Sequence, residues 1–111
     1  MKKSLVLISI VSLVLLTGIK WVKLTPEGEK VRVLNEDEVT SCKKLGSTTA
    51  SLVSKVAIWE RNEKKVKREL EYLARNSAAS DFKDQQADTV VPASEIDNGK
   101  QKFDVYKCVN P

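Results

Sequence analysis

Cys42 and Cys108 are the residues of this 111-residue chain with the clearest potential for chemistry. The chain has no histidine, which excludes Ser-His and Cys-His nucleophilic pairs and imidazole ligands for a metal. Two cysteines alone cannot complete a four-ligand zinc site. In an exported chain a pair of cysteines favours a disulfide, with two buried free thiols as the alternative. The sequence therefore predicts a Cys42–Cys108 disulfide if the chain is exported.

The remaining residue types form no catalytic arrangement. The four glycines do not make a phosphate-binding pattern. The acidic run at residues 35–38 lacks the charge count and the glycine turn of a calcium loop. Every Asp and Glu has a simpler explanation in a predicted loop, hairpin or helix surface than as a general acid or base. We therefore expect a protein that is not an enzyme and that binds no cofactor and no metal ion.

The N-terminus predicts export. Lys2 and Lys3 form a positive start, and residues 5–16 are an apolar run interrupted only by two serines, the pattern of a secretory signal. This run is shorter than the roughly 20 residues that cross a bilayer comfortably. Leu16 suits signal peptidase poorly, so we favour an uncleaved membrane anchor over a cleaved signal peptide for residues 1–19.

Lipidation is not expected. Residues 15–18 look like the first part of a bacterial lipobox, but Ile19 stands where that motif requires the lipidated cysteine. If the segment stays attached, Trp21 is expected at the level of the lipid headgroups, with Lys20 and Lys23 reaching towards water. The alternative for Trp21 is packing against the domain.

The charge pattern argues against nucleic acid as a partner. The formal net charge is +4, and it falls to +2 once Lys2 and Lys3 of the export segment are set aside. Acidic and basic residues alternate along residues 60–71, whereas binding to a phosphate backbone needs a field of one sign.

Hydrophobic periodicity predicts one long helix, over residues 61–82, and four strands. The strands are expected at residues 30–34, 41–52, 87–96 and 101–108. One face of the helix is expected to pack on the sheet, and the residues that form it are Val66, Leu70, Leu73, Ala74, Ser77 and Ala78. Its other face carries i,i+4 ion pairs such as Glu71 with Arg75, which indicate a solvated surface.

Three local signals set the expected topology. Asn98-Gly99 predicts a type I′ turn between the third and fourth strands. Gly46 predicts a bulge in the second strand, and Pro92 places the third strand at an edge or a bulge. Cys42 opens the second strand and Cys108 closes the fourth, so antiparallel pairing of these strands would bring the two sulfurs together.

The predicted fold class is therefore α+β, with a small, mostly antiparallel four-stranded sheet of order 3-4-2-1 and one long helix on one face. The sheet face under the helix is expected to include Val31, Val33, Phe103 and Val105. Residues 20–29 are predicted to be a linker, and residues 30–111 are predicted to form a single domain.

Five blocks of sequence carry a resemblance to a known family. They are residues 21–33, 42–49, 73–79, 87–91 and 105–108. Together they resemble a family of small gammaproteobacterial envelope proteins known as domain of unknown function 4156. The resemblance implies a small α/β domain with paired cysteines, and Ile19 departs from the lipoproteins predicted in that family. The layout is also similar to the stress-sensing lipoprotein of the Rcs phosphorelay, a likeness of fold and not of function.

Two kinds of function remain open. The first is a structural or interaction module of the cell envelope, in stress or assembly, whose partner is another envelope protein. The second is a periplasmic domain that binds a small ligand or a cell-wall component through exposed polar residues, with Arg75, Asn76, Asp88 and Thr89 as candidates. A cysteine redox carrier is a third possibility, which would require a labile disulfide near the surface.

Intact mass spectrometry of the protein recovered from the envelope fraction tests the export prediction. We expect the full-length mass, with both cysteines protected from alkylation until a reductant is added. A shortened mass would show that the N-terminal segment is cleaved. Cysteines that react without reductant would contradict the predicted disulfide.

Overall fold

The computed structural model describes residues 22–52 and 62–111 of the chain. The predicted signal or anchor, Ile19 and Trp21 lie outside these residues. Within them the structure contains one α-helix and four β-strands, as the sequence predicts. These elements are β1 (Arg32–Val33), β2 (Lys43–Ser51), α1 (Glu63–Asp81), β3 (Thr89–Pro92) and β4 (Lys100–Lys107), with 3-10 turns at Gly28–Lys30, Glu36–Glu38 and Lys83–Gln85.

Helix α1 begins at a side-chain cap and buries the predicted face. Asn62 is extended, and its side-chain oxygen accepts a hydrogen bond from the amide of Lys65 at 2.8 Å, which satisfies one of the free donors of the first turn. Leu70, Ala74 and Ala78 are fully buried, and Leu73 is half-buried against the core. The small alanines allow the helix to lie close to the sheet.

The four strands form one sheet of order β1-β3-β4-β2. The pairs β3–β4 and β4–β2 are antiparallel, whereas β1 runs parallel to β3, with Val33 opposite Val90. The α+β class, the mostly antiparallel sheet and the two antiparallel pairs are therefore confirmed. The expected place of the first strand beside the second is corrected, because β1 pairs with β3 at the other edge.

This arrangement sends two connections across the sheet. Strands β1 and β2 lie at opposite edges and run in the same direction, so residues 34–42 must cross the sheet between them. Helix α1 makes the return crossing from β2 to β3. Right-handed crossovers in opposite directions lie on opposite faces of a sheet. Thr89 and Val91, whose side chains point away from the helix by strand alternation, are accordingly buried at 0% and 3% exposure, and Val39 of the crossing segment is also buried.

Pro92 does not place β3 at an edge, because β3 lies between β1 and β4. The amides of Arg32 and Leu34 bond to the carbonyls of Asp88 and Val90. The next position of β3 that faces β1 is Pro92, which has no amide hydrogen to donate. The short strand β1 ends at this level of the sheet. The proline therefore limits the parallel pairing without interrupting the bonds between β3 and β4.

The predicted turn and bulge are both present. Asn98 and Gly99 have φ angles of 52° and 71°, which a type I′ turn requires at its two central positions. The register of β2 against β4 shifts between Lys44 and Gly46. A Cβ atom at Gly46 would lie 2.9 Å from the ring of Phe82, so glycine permits this close approach of strand and ring.

The core lies between α1 and the sheet. Val31, Val90, Phe103 and Val105 are fully buried on the sheet side, and Val33 packs against them while half-buried. The four apolar residues expected under the helix therefore contribute to the core. No helix among the described residues is long and apolar enough to cross a membrane.

The disulfide joins Cys42 to Cys108, as predicted, across a sequence separation of 66 residues. Its cysteines lie immediately before β2 and after β4, where Lys43 is directly opposite Lys107. The two Cα atoms are 4.4 Å apart. The covalent bond therefore closes the end of the β2–β4 ladder.

Removal of the disulfide tests its contribution to stability. In the loop-entropy account, replacing both cysteines by serine (C42S with C108S) should lower the free energy of unfolding by about 4 kcal/mol. Urea denaturation of this double variant and of the oxidised and reduced protein measures the difference. The reduced protein should resemble the double variant, and a loss below about 1 kcal/mol in both would contradict this prediction.

Candidate functional site

The four residues predicted to bind a ligand are placed at two positions of the fold. Arg75 and Asn76 lie in the second half of α1, and Asp88 and Thr89 lie at the start of β3. The prediction that they are exposed is wrong, since Thr89 is buried and the other three are half-buried. Their side chains form hydrogen bonds with the chain itself, as follows.

Arg75 contacts the main chain that leads into β1. Its Nε donates to the carbonyl of Val31 at 2.6 Å, and its Nη2 donates to the carbonyl of Glu29 at 3.3 Å. The predicted role of Arg75 as the partner of Glu71 on a solvated face is therefore corrected. A charged donor to main-chain acceptors fixes the segment before β1 against the helix.

Asn76 holds residues 22–28, which we call the strap, on the surface of α1. Its Oδ1 accepts from the amide and the hydroxyl of Thr25, at 2.9 and 3.1 Å, and its Nδ2 donates to the carbonyl of Lys23 at 2.9 Å. The Thr25 hydroxyl in turn accepts from the amide of Gly28 at 2.9 Å. A side chain at Gly28 would collide with the amide oxygen of Asn76, so the strap can lie this close only with glycine.

Glu69 provides the first contact of the strap. One of its carboxylate oxygens accepts from the amide of Val22 at 2.9 Å, and the residue is only 5% exposed. The sequence pattern does not identify this buried glutamate, because its role depends on the position of the strap. The described part of the predicted linker, residues 22–29, therefore packs on the domain.

Asp88 organises the end of β4 beside the disulfide. Its Oδ1 accepts from the hydroxyl of Thr89 at 2.9 Å and from the amide of Cys108 at 2.7 Å, and its Oδ2 accepts from the amide of Val109 at 2.9 Å. All the hydrogen bonds of this carboxylate that the structure shows are internal. The four predicted ligand-binding residues are thus brought together in pairs, and each pair has a structural role.

Strand β2 forms one edge of the sheet. Within residues 22–52 and 62–111 no strand pairs with the side of β2 that faces away from β4. The amide of Leu52 bonds to Gly99 on the β4 side, so alternation directs the main-chain groups of Ser47, Thr49 and Ser51 to the open side. Within the described parts of the chain, these groups form a row of donors and acceptors that have no partner.

A lysine-bearing surface borders this edge on the sheet face opposite the helix. Lys100 lies opposite Ser51 and Lys102 lies opposite Thr49, and both lysines are exposed. Lys44 forms an ion pair with Asp104 at 3.5 Å on the same face. Lys100 and Lys102 form no ion pair within the part of the chain that the structure describes.

A groove lies between the start of α1 and the β3–β4 hairpin. It has a volume of about 1100 Å³, and Val66, Pro92, Ile96 and Gln101 contribute to its lining. Gln101 is 8% exposed and donates from Nε2 to the carbonyl of Ser94, while its Oε1 has no hydrogen-bond partner among residues 22–52 and 62–111. Among the described residues no group of three His, Cys, Asp or Glu side chains could hold a metal ion.

Comparison with known proteins gives one match. The family model described as "Domain of unknown function (DUF4156)" matches residues 22–108, which begin at the strap and end at the second cysteine of the disulfide. No curated protein and no solved structure matches the chain.

We expect the hydrogen bonds of Asn76 to stabilise the strap. Replacing Asn76 by alanine should lower the free energy of unfolding by about 1–3 kcal/mol and speed amide hydrogen exchange in the strap. Asn76→Asp is the comparison variant, since it keeps the acceptor for Thr25 but replaces the donor to Lys23 by a negatively charged acceptor. In hydrogen exchange it should retain more protection at the Thr25 amide than Asn76→Ala. Unchanged exchange at Thr25 in Asn76→Ala would contradict this role.

Proposed function

We propose that this chain, which belongs to the family of domain of unknown function 4156, is a non-catalytic interaction domain of the cell envelope. In this proposal a partner protein adds an extended strand to the open edge of β2. The observation that carries the proposal is the row of unpaired main-chain groups at Ser47, Thr49 and Ser51. Strand addition uses such an edge directly, because main-chain hydrogen bonds supply affinity.

The composition of β2 supports this use of its edge. Proteins commonly protect an edge strand with charged residues, a bulge, proline or a short length. In β2 the charged residues Lys43 and Lys44 and the bulge lie at the first end of a nine-residue strand. From Gly46 to Ser51 the strand has neither charge nor proline. This half of the edge is therefore left suitable for pairing.

An envelope location is part of the proposal. The disulfide supports it, since disulfides persist in oxidising compartments such as the periplasm. The positive and apolar N-terminus supports export, with residues 1–19 as a membrane tether. A role in envelope stress or assembly is compatible with a tethered domain that recruits a partner.

The absence of enzymatic activity is likewise proposed. Arg75, Asn76 and Asp88 direct the polar atoms of their side chains to the main chain of the domain, as an architectural role requires. An active site would instead need several polar groups that converge on a reacting atom.

A small-ligand-binding domain is the second candidate function. The observation that favours it concerns Gln101, which lines the groove beside the hairpin and whose buried Oε1 has no hydrogen-bond partner in the described part of the chain. Buried polar groups normally have a partner, so a ligand with a hydrogen-bond donor would satisfy this oxygen. The open β2 edge presents more unpaired groups, and we therefore place protein interaction first.

Site-specific photo-crosslinking in the native envelope tests strand addition. A photoreactive residue at Ser47 of the full-length chain should give a discrete protein adduct, whereas the same residue at the exposed helix position Lys67 should give none. Adding Thr49→Pro should reduce the adduct at least tenfold, because proline removes an outward amide of the edge. Thr49→Val, which keeps that amide, should preserve the adduct.

The thermal transition of each variant provides the folding control. The amide of Thr49 faces the open side, so its loss should leave the β2–β4 ladder intact. An adduct that is equal in Thr49→Pro and Thr49→Val, with both proteins folded, would overturn the proposal.

A further inference from the structure

We infer that the strand accepted by β2 carries acidic side chains on the face that continues the lysine-bearing surface and apolar side chains on the helix side. This inference rests on the proposed function and adds the chemistry of the partner. Its basis is the register between β2 and β4, which places Lys102 opposite Thr49 and Lys100 opposite Ser51.

The small side chains of β2 leave the two lysines within reach of an added strand. Ser47, Thr49 and Ser51 point to the sheet face opposite the helix, and Ser47 and Thr49 are exposed. Neighbouring strands lie about 4.8 Å apart, so a long lysine side chain on β4 can extend over a serine or threonine of β2 towards the next strand. A bulky residue at these positions would block that path.

The charges near the open edge are unbalanced. Asp104, on β4, is paired with Lys44. Asp97 lies opposite Lys100 in the hairpin but forms no ion pair with it within the described residues. The acidic turn Glu36–Glu38 belongs to the segment that crosses the sheet from β1 to β2, and it forms no ion pair with either lysine within the described residues. Strand β2 itself has no acidic residue. Carboxylates on an added strand would therefore meet lysines that form no ion pair in the described part of the domain.

On the helix side of the edge, the surface favours apolar side chains on the added strand. Thr48 and Ala50 point towards the helix, and Phe82 lies over Gly46 at the bulge. Ala50 is buried in the core. Phe82 is partly exposed and packs against the core. Apolar side chains at alternate positions of the added strand would extend this surface. The partner segment is thus amphipathic with a period of two.

A second copy of the chain is a poorer occupant than an acidic partner. Antiparallel pairing of β2 with β2 of another copy would place the lysines of both copies on one face, without an acidic side chain between them. Pairing of the same edge with an acidic strand would replace the repulsion between lysines by attraction between lysines and carboxylates. Charge complementarity therefore favours a different, acidic protein segment.

Titration with three synthetic peptides tests the inference. The probes are blocked seven-residue peptides in which valine alternates with glutamate, glutamine or lysine, added to the isotope-labelled full-length chain in detergent micelles. NMR shifts and hydrogen exchange at Ser47, Thr49 and Ser51 report binding at the edge. The glutamate peptide should bind about tenfold more tightly than the lysine peptide, and salt should reduce the difference.

Charge reversal supplies the matched control. In the double variant Lys100→Glu with Lys102→Glu, the order of the glutamate and lysine peptides should invert, while the NMR spectrum of the core stays unchanged. Equal affinities for all three peptides, with the edge amides protected, would overturn the charge inference and leave strand addition standing. If no peptide protects these amides, strand addition itself fails. Protection in the protein alone that grows with its concentration would identify a second copy as the occupant.

Discussion

The ladder between β2 and β4 is the interaction on which the rest of the structure depends. It is the longest strand pair of the sheet, and the disulfide closes one of its ends. Strand β4 uses its other side to pair with β3, so β2 has no further neighbour among the described strands. The same ladder that gives the domain its core therefore creates its open edge. The structural constraint and the proposed interaction surface thus have one origin.

Several polar side chains of this domain stabilise the fold of its own main chain. Arg75, Asn76 and Asp88 each bond to main-chain groups that neither strand pairing nor helix formation satisfies. A small domain gains from such contacts, because its apolar core is limited. Their loss would release the segments that lead into β1 and out of β4. Main-chain groups of the β2 edge, by contrast, remain available to a partner.

The helix, the hairpin and the disulfide could be predicted because their signals are local or covalent. The 3.6-residue period of the helix and the Asn-Gly pair of the hairpin can be recognised within a few residues. Two cysteines allow only one disulfide pairing. The position of β1 could not be predicted in this way. A two-residue parallel strand has no pattern of its own, and consecutive strands usually lie side by side, whereas β1 and β2 lie at opposite edges.

The roles of Glu69 and Asn76 were missed for a related reason. They depend on where residues 22–28 dock, although an asparagine inside a helix, where it is intrinsically unfavourable, was a usable signal.

If residues 1–19 are the proposed membrane anchor, the docked strap limits how far the domain can stand from the membrane. A free linker over residues 20–29 would allow a separation of about 33–36 Å at about 3.3–3.6 Å per extended residue. Because the chain is already bound to α1 at Val22, an anchor that ends at residue 19 leaves only about 10 Å of extended chain. Such a short tether would confine the domain to a thin layer at the bilayer surface and restrict its rotation. Its neighbours there would be proteins of the same membrane, at an effective concentration far above that of a freely diffusing domain.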